Sequence, residues 1–89
     1  MQSFDLAGRR TLVTGGAGGI GKAAAELFTL LGARVVGADV EARSASEAAA
    51  ETQAVGFQVG DVSVEADAIR MVDGAADQLG GLDAVFHCA

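Results

Sequence analysis

The sequence predicts an α/β fold: a doubly wound parallel sheet with helices on both faces, incomplete at about four strands and three helices. Three observations carry this prediction. Short apolar runs rich in β-branched residues alternate with stretches whose apolar residues recur at helical spacing. A glycine-dense loop, TGGAGGIG at residues 14–21, joins the first run to the first helical stretch. The 89 residues include 13 glycines and no proline, a composition of tight turns and close backbone approaches rather than of a linker or a collagen-like repeat.

The first two strands are residues 11–14 and 33–38, short and with little polar alternation, as in strands covered on both faces. Between them Ile20, Ala24, Leu27, Phe28 and Leu31 form a helical stripe, and Gly32 supplies the stop. After Asp39, Ser44-x-x-Glu47 reads as a capping box opening an alanine-rich helix to about Ala54. That helix has little beyond methyl groups to bury. A third strand is expected at residues 55–59. Ser63 then caps a third helix whose first turn carries Glu65 and Asp67, favourable beside the positive end of the helix dipole. Its apolar face is expected to be Ile69, Val72, Ala76 and Leu79, with Gly80-Gly81 ending it and a fourth strand at residues 82–88. The order is β-α-β-α-β-α-β, so strands one to three grow one way and strand four returns to the other side of strand one. The crevice at that reversal, above the carboxyl ends of strands one and four, is the expected ligand site. Strand four would be an apolar edge of a kind that domains cover or charge, so the chain reads as one cut short after Ala89.

Composition excludes several function classes. With 51% hydrophobic and 20% charged residues the chain is not disordered. The net charge is −6, and it is uneven: residues 39–89 carry only Arg43 and Arg70 as bases, whereas Arg9, Arg10, Lys22 and Arg34 lie before them. An acidic chain with no basic stripe is not expected to bind nucleic acid. The acidic half reads as solvated helix surface. A single cysteine, Cys88, cannot form an internal disulfide, and no Cys/His cluster has the spacing of a metal site. Asp5 stands where a secretory leader would need an apolar run, and no apolar stretch approaches the ~18 residues of a membrane span, so a cytoplasmic protein without membrane contact is expected.

The glycine loop fits three motifs. Gly16-x-Gly18-x-x-Gly21 matches the dinucleotide fingerprint, in which glycines let the backbone approach a pyrophosphate lying on a helix N-terminus. Gly16-x-x-x-x-Gly21-Lys22 matches most of a nucleoside-triphosphate P-loop, with Asp61 as a conceivable second acidic ligand. That motif requires a Ser or Thr hydroxyl next, to hold Mg²⁺, and the position is Ala23. The third is Thr14-Gly15-x-x-x-Gly19-Ile20-Gly21. Five glycines within residues 15–21 would be a costly way to build a plain turn. Asp39 follows Gly21 by 18 residues, close to the ~20 expected of the carboxylate that accepts hydrogen bonds from the adenosine ribose. A carboxylate there repels a 2′-phosphate, and Val40 brings no compensating charge, so NAD is favoured over NADP. Arg43, the nearest base, reads as a surface residue in the turn before the second helix.

Through TGxxxGxG, the lead-in Phe4-Asp5-Leu6-x-Gly8-Arg9, the pair Asp61-Val62 and Leu82-Asp83 opening strand four, the sequence resembles the short-chain dehydrogenase/reductase family over nearly its whole length. The resemblance implies a Rossmann-type, NAD(P)-dependent oxidoreductase. It implies that Gly15, Gly19 and Gly21 shape the turn, that the backbone of Ile20 faces the diphosphate, and that Gly18 sits where many NADP users carry a basic residue. Asp61 and Val62 would hold adenine through a carboxylate and a backbone N–H. Where the family reads Asn-Asn-Ala-Gly, this chain has His87-Cys88-Ala89, placing Cys88 and Ala89 on the cofactor floor. His87 reads as structural rather than as a catalytic base, Cys88 as a packed thiol and Lys22 as solvent-facing.

The family's catalytic Ser, Tyr and Lys would lie beyond Ala89, and this chain has no tyrosine. Residues 1–89 are therefore expected to be the N-terminal part of a single dinucleotide-binding domain, inactive alone. Its parent would be a homo-oligomeric enzyme acting on a small alcohol or ketone. The alternative is a non-catalytic nucleotide-binding or interaction module.

Overall fold

The computed structural model describes residues 6–16, 18–40 and 45–88. Its elements run β1 (Arg10–Thr14), α1 (Gly19–Leu30), β2 (Arg34–Asp39), α2 (Ala45–Thr52), β3 (Gly56–Val59), α3 (Glu65–Leu79) and β4 (Ala84–His87). Every strand pairing is parallel, and the sheet order is β3-β2-β1-β4. The chain thus builds outward through β2 and β3, then crosses back to lay β4 against the free side of β1. This is the α/β, Rossmann-like doubly wound arrangement, with its reversal between β1 and β4.

Strand periodicity divides the core. Leu12 joins Val36, Ala38, Met71, Ala75 and Leu79 on the α3 side of the sheet. Val13 joins Ala25, Ala33 and Val35 on the α1 side. Because alternate residues of β1 and β2 are buried on opposite faces, these strands need apolar or β-branched residues at nearly every position. β4 differs: all four of its residues are exposed, since β1 flanks it on one side only.

The helices bury only part of the stripes expected: Phe28 of α1 packs against the core and Leu79 of α3 is buried, but the rest of the buried face is different. On α1 the buried residues are Gly21 and Ala25, while Ile20 is 78% exposed and Leu27 is 52% exposed. On α3 they are Met71, Ala75 and Leu79, while Ile69 and Val72 are exposed. Both helices carry two apolar stripes. The sheet takes the one whose glycine or alanine lets the helix axis come close, and Met71 fills the remaining gap.

Two caps also differ. Ser63 does not cap α3; the N-cap is Val64, with no side-chain hydrogen bond. The Ser63 N–H and Oγ–H donate to Asp61 Oδ1 at 2.9 and 2.7 Å, a turn that holds Ser63 one residue ahead of the N-cap. α2 stops at Thr52 rather than Ala54, where Gln53 turns into the left-handed region at φ 58°. Ser44, the expected cap of α2, lies outside the described residues, as do Phe4, Asp5 and Arg43. α1 and α3 end as expected, at Gly32 with φ 97° and at Gly80 with φ 77°.

Candidate functional site

The loop after β1 is shaped by glycine at two positions. Gly15 takes φ 71°, a left-handed conformation that side chains disfavour. Gly21, buried in the first turn of α1, lies so close to Gly15 that an added Cβ would strike the Gly15 carbonyl oxygen. The intervening chain is held by Gly16 N–H to the Ala38 carbonyl at 3.0 Å and Gly18 N–H to the Gly15 carbonyl at 3.2 Å. α1 then begins with Gly18 as N-cap, with no side-chain cap bond and no acidic residue in its first turn. Its leading amides and the positive end of its dipole are thus left without a built-in counter-charge. Gly18, Gly19 and Ile20 are exposed there, and a Cβ at Gly19 would meet no atom within 4 Å.

A second wall comes from the ends of β2 and β3. The Asp39 carbonyl accepts the Gly60 N–H at 3.0 Å, drawing the two strand ends together. The result is a hollow of about 130 Å³ lined by Gly15, Ala38, Asp39, Val40, Gly60, Asp61 and Val62. No basic side chain lines it among the described residues. The Asp61 carboxylate, held by Ser63, is pushed below its usual range because hydrogen bonds from the Ser63 side chain and backbone stabilise the charged form. The Asp61 N–H donates to Asp67 Oδ2 at 3.0 Å, which fixes the turn itself. The Phe57 ring occupies the space a side chain on Gly37 would need, and a Cβ added at Gly16 would lie 3.4 Å from the same ring.

On the other side of β1 lies the end of β4. His87 lies opposite Thr14 in the parallel register, and their side chains bond, Nδ1 to Oγ1, at 2.6 Å. The Cys88 N–H donates to the Thr14 carbonyl at 3.1 Å, and Cys88 packs against the core cluster of Val13, Ala25, Ala33 and Val35. A larger hollow of about 400 Å³ runs along the flank of β4 beside Phe28, Val85 and Phe86, away from the glycine loop. The acid on its rim, Asp83, is already bound to Arg10 by three hydrogen bonds of 2.9–3.0 Å.

Of the ten expected cofactor residues, Gly15, Asp39, Asp61 and Val62 share one hollow, and Gly18, Gly19, Ile20 and Gly21 form the start of α1. Cys88 reaches the loop through its backbone, and Ala89 lies outside the described residues. Sequence reasoning placed Val40 beside the ribose carboxylate but missed Ala38 and Gly60 as lining residues and the Thr14–His87 bond. Gly60 was signalled by its place between β3 and Asp61. The Thr14–His87 bond had no local signal. Among the described residues no group of three or more His, Cys, Asp or Glu side chains could hold a metal ion, and no helix is long and apolar enough to cross a membrane.

Comparisons with known proteins agree with this architecture. The short chain dehydrogenase family model matches residues 9–89. The 2,5-dichloro-2,5-cyclohexadiene-1,4-diol dehydrogenase of Sphingobium indicum is 40% identical over 87 residues, covering 96% of this chain and 34% of that protein. The sex determination protein tasselseed-2 of Zea mays is 50% identical over 80 residues, covering 85% and 23%. Among solved structures, 3-ketoacyl-(acyl-carrier-protein) reductase from Brucella melitensis complexed with NADH superposes with a TM-score of 0.82 at 32% identity, over 91% of this chain and 34% of that one. Hydroxysteroid dehydrogenase from Escherichia coli gives 0.84 at 30% identity, over 96% and 37%. The chain spans about a third of the length of the first of these curated relatives. With its parallel sheet, its glycine loop and these relatives, the chain belongs to the short-chain dehydrogenase/reductase family.

Proposed function

We propose that residues 1–89 are the N-terminal, coenzyme-binding part of a single dinucleotide-binding domain, in an oxidoreductase that moves a hydride between a nicotinamide cofactor and an alcohol or carbonyl carbon. The observation that carries this reading is the hollow in which Gly15, Asp39 and Asp61 converge beside an uncapped helix N-terminus. The residues present fit the group. The amides opening α1 would take the pyrophosphate. The Asp39 carboxylate would accept from the ribose hydroxyls, and Asp61 with the Val62 amide would hold adenine. The nicotinamide supplies the hydride chemistry when bound; this chain binds and orients it.

NAD is the favoured cofactor. A 2′-phosphate beside Asp39 would meet a carboxylate and the apolar Val40, with no cation lining the hollow among the described residues. The reading extends to a cytoplasmic, homo-oligomeric parent acting on a small alcohol or ketone, with its catalytic tyrosine and lysine outside these residues. Calorimetric titration of the intact protein with NAD, NADP and Mg-ATP tests it. NAD should bind more tightly than NADP, and Mg-ATP weakly. Tight Mg-ATP binding without a response to NAD would defeat the reading.

A further inference from the structure

Thr14 is the last residue of β1 and the one from which the glycine loop departs. Its carbonyl and its hydroxyl are gripped by the end of β4, the carbonyl by the Cys88 N–H at 3.1 Å and the hydroxyl by His87 Nδ1 at 2.6 Å. Thr14 is itself buried, at 6% exposure, so a hydroxyl without a partner there would be costly. Next in the chain, Gly15 turns into the left-handed region, and the Gly16 N–H reaches across to the Ala38 carbonyl at 3.0 Å. The start of the loop is thus fastened on one side to β2 and on the other to β4. Of these fastenings, only the one through His87 depends on side chains.

We propose that His87 is a positioning residue: through Nδ1 it fixes the rotamer of Thr14 and with it the take-off of the glycine loop, setting the direction of the amides that receive the dinucleotide. His87 need not touch substrate or cofactor to do this. The proposal rests on the dinucleotide reading above for its effect on affinity, but its geometric part stands without it. It makes a chemical distinction. The amide head of asparagine has Oδ1 and Nδ2 at the same distance from Cβ as histidine Nδ1, whereas glutamine places its polar atoms where Nε2 lies. His87→Asn therefore keeps the bond to Thr14, and His87→Gln loses it. On the other side, Thr14→Ser keeps the hydroxyl and Thr14→Val removes it with little change of shape.

The test uses the intact protein and two readouts. Calorimetry with NAD should show His87→Gln and Thr14→Val each weakening binding by about three- to tenfold, the effect of one neutral hydrogen bond. The double variant should lose no more than either alone, and His87→Asn and Thr14→Ser should stay within about twofold of the parent. Amide hydrogen exchange supplies the second readout, which needs no ligand. Exchange at Gly16 should speed up in His87→Gln and Thr14→Val while the core amides of Val36 and Met71 hold, because the change is local rather than global. Equal acceleration at all three amides would mean that His87 serves stability alone, and the proposal falls. It also falls if His87→Asn behaves as His87→Gln, or if the losses add in the double variant. If the parent protein ignores NAD, the dinucleotide reading fails, and Gly16 exchange alone then decides whether His87 positions the loop.

Discussion

Gly21→Ala probes the contact that makes the loop. The new methyl would strike the Gly15 carbonyl oxygen and lie 2.5 Å from the Gly15 carbonyl carbon and 3.0 Å from Gly16 Cα. These are backbone atoms, tied down by Gly16 N–H to the Ala38 carbonyl and Gly18 N–H to the Gly15 carbonyl, so no rotamer change relieves the clash. Overpacking of this kind costs about 1–3 kcal/mol, and a rigid neighbour puts it at the upper end, about 3 kcal/mol. Alanine returns about 1 kcal/mol of helix propensity over glycine. The expected net loss is therefore about 2 kcal/mol in urea unfolding, together with a marked fall in NAD affinity as α1 is pushed off the loop. Gly19→Ala is the control: its Cβ meets no atom within 4 Å, so stability should stay within about 0.5 kcal/mol of the parent. If Gly21→Ala unfolds and binds like the parent, or if Gly19→Ala is the more destabilising of the two, the interlock of Gly15 with Gly21 does not shape the loop.

Three further outcomes are expected. Gly37→Ala would drive a methyl into Cε2 of the buried Phe57 ring, costing about 1–3 kcal/mol in thermal or urea unfolding, and Phe57→Leu on top should recover part of it; an undisturbed Gly37→Ala would show that the ring is not wedged. Asp39→Ala should weaken NAD about tenfold or more, as expected for charge-assisted hydrogen bonds, and NADP much less; equal losses would count against the ribose role. Asp83 is held far below the usual carboxylate range, first by its hydrogen bonds with the Arg10 side chain and backbone and then by that residue's charge. A depressed folded-state pKa gives stability that is complete above the unfolded value near ~4 and is lost as pH falls below it. Asp83→Asn should therefore flatten the pH dependence of unfolding below about pH 4 and leave its shape at neutral pH unchanged, as followed by circular dichroism.

The strand plan was legible because burial on both faces forces it into composition. Neither residues 11–14 nor 35–38 can alternate polar with apolar when Leu12 and Val13 face opposite cores. The loop and the two acids were legible because their chemistry is local in sequence. The buried faces of the helices were legible only at Phe28 and Leu79. α1 offers both Ile20 with Leu27 and Gly21 with Ala25, and hydrophobicity alone prefers the larger pair, whereas close approach to a sheet prefers the smaller. α3 repeats this with Ile69 and Val72 against Met71 and Ala75. The role of Ser63 was misread because Asp61, two residues back, holds both its N–H and its hydroxyl in a turn, and α3 starts one residue later with Val64 as N-cap. The bond between Thr14 and His87 depends on strand register across the sheet, which spacing along the chain does not encode.

The strand at the centre of the finished sheet spends part of its life at the margin. Thr14 and His87 meet across a separation of 73 residues. At ~5–20 residues per second, a ribosome needs roughly four to fifteen seconds to deliver the second after the first. From the emergence of β2 until then, β1 can pair with β2 alone, leaving a row of unsatisfied amides and carbonyls along its other side. A nascent chain at this stage is a template for mispairing with its neighbours on the same polysome. Chaperone capture, codon pacing and expression temperature should therefore act most strongly on the yield of this protein in the window before Ala84–His87 clears the exit tunnel.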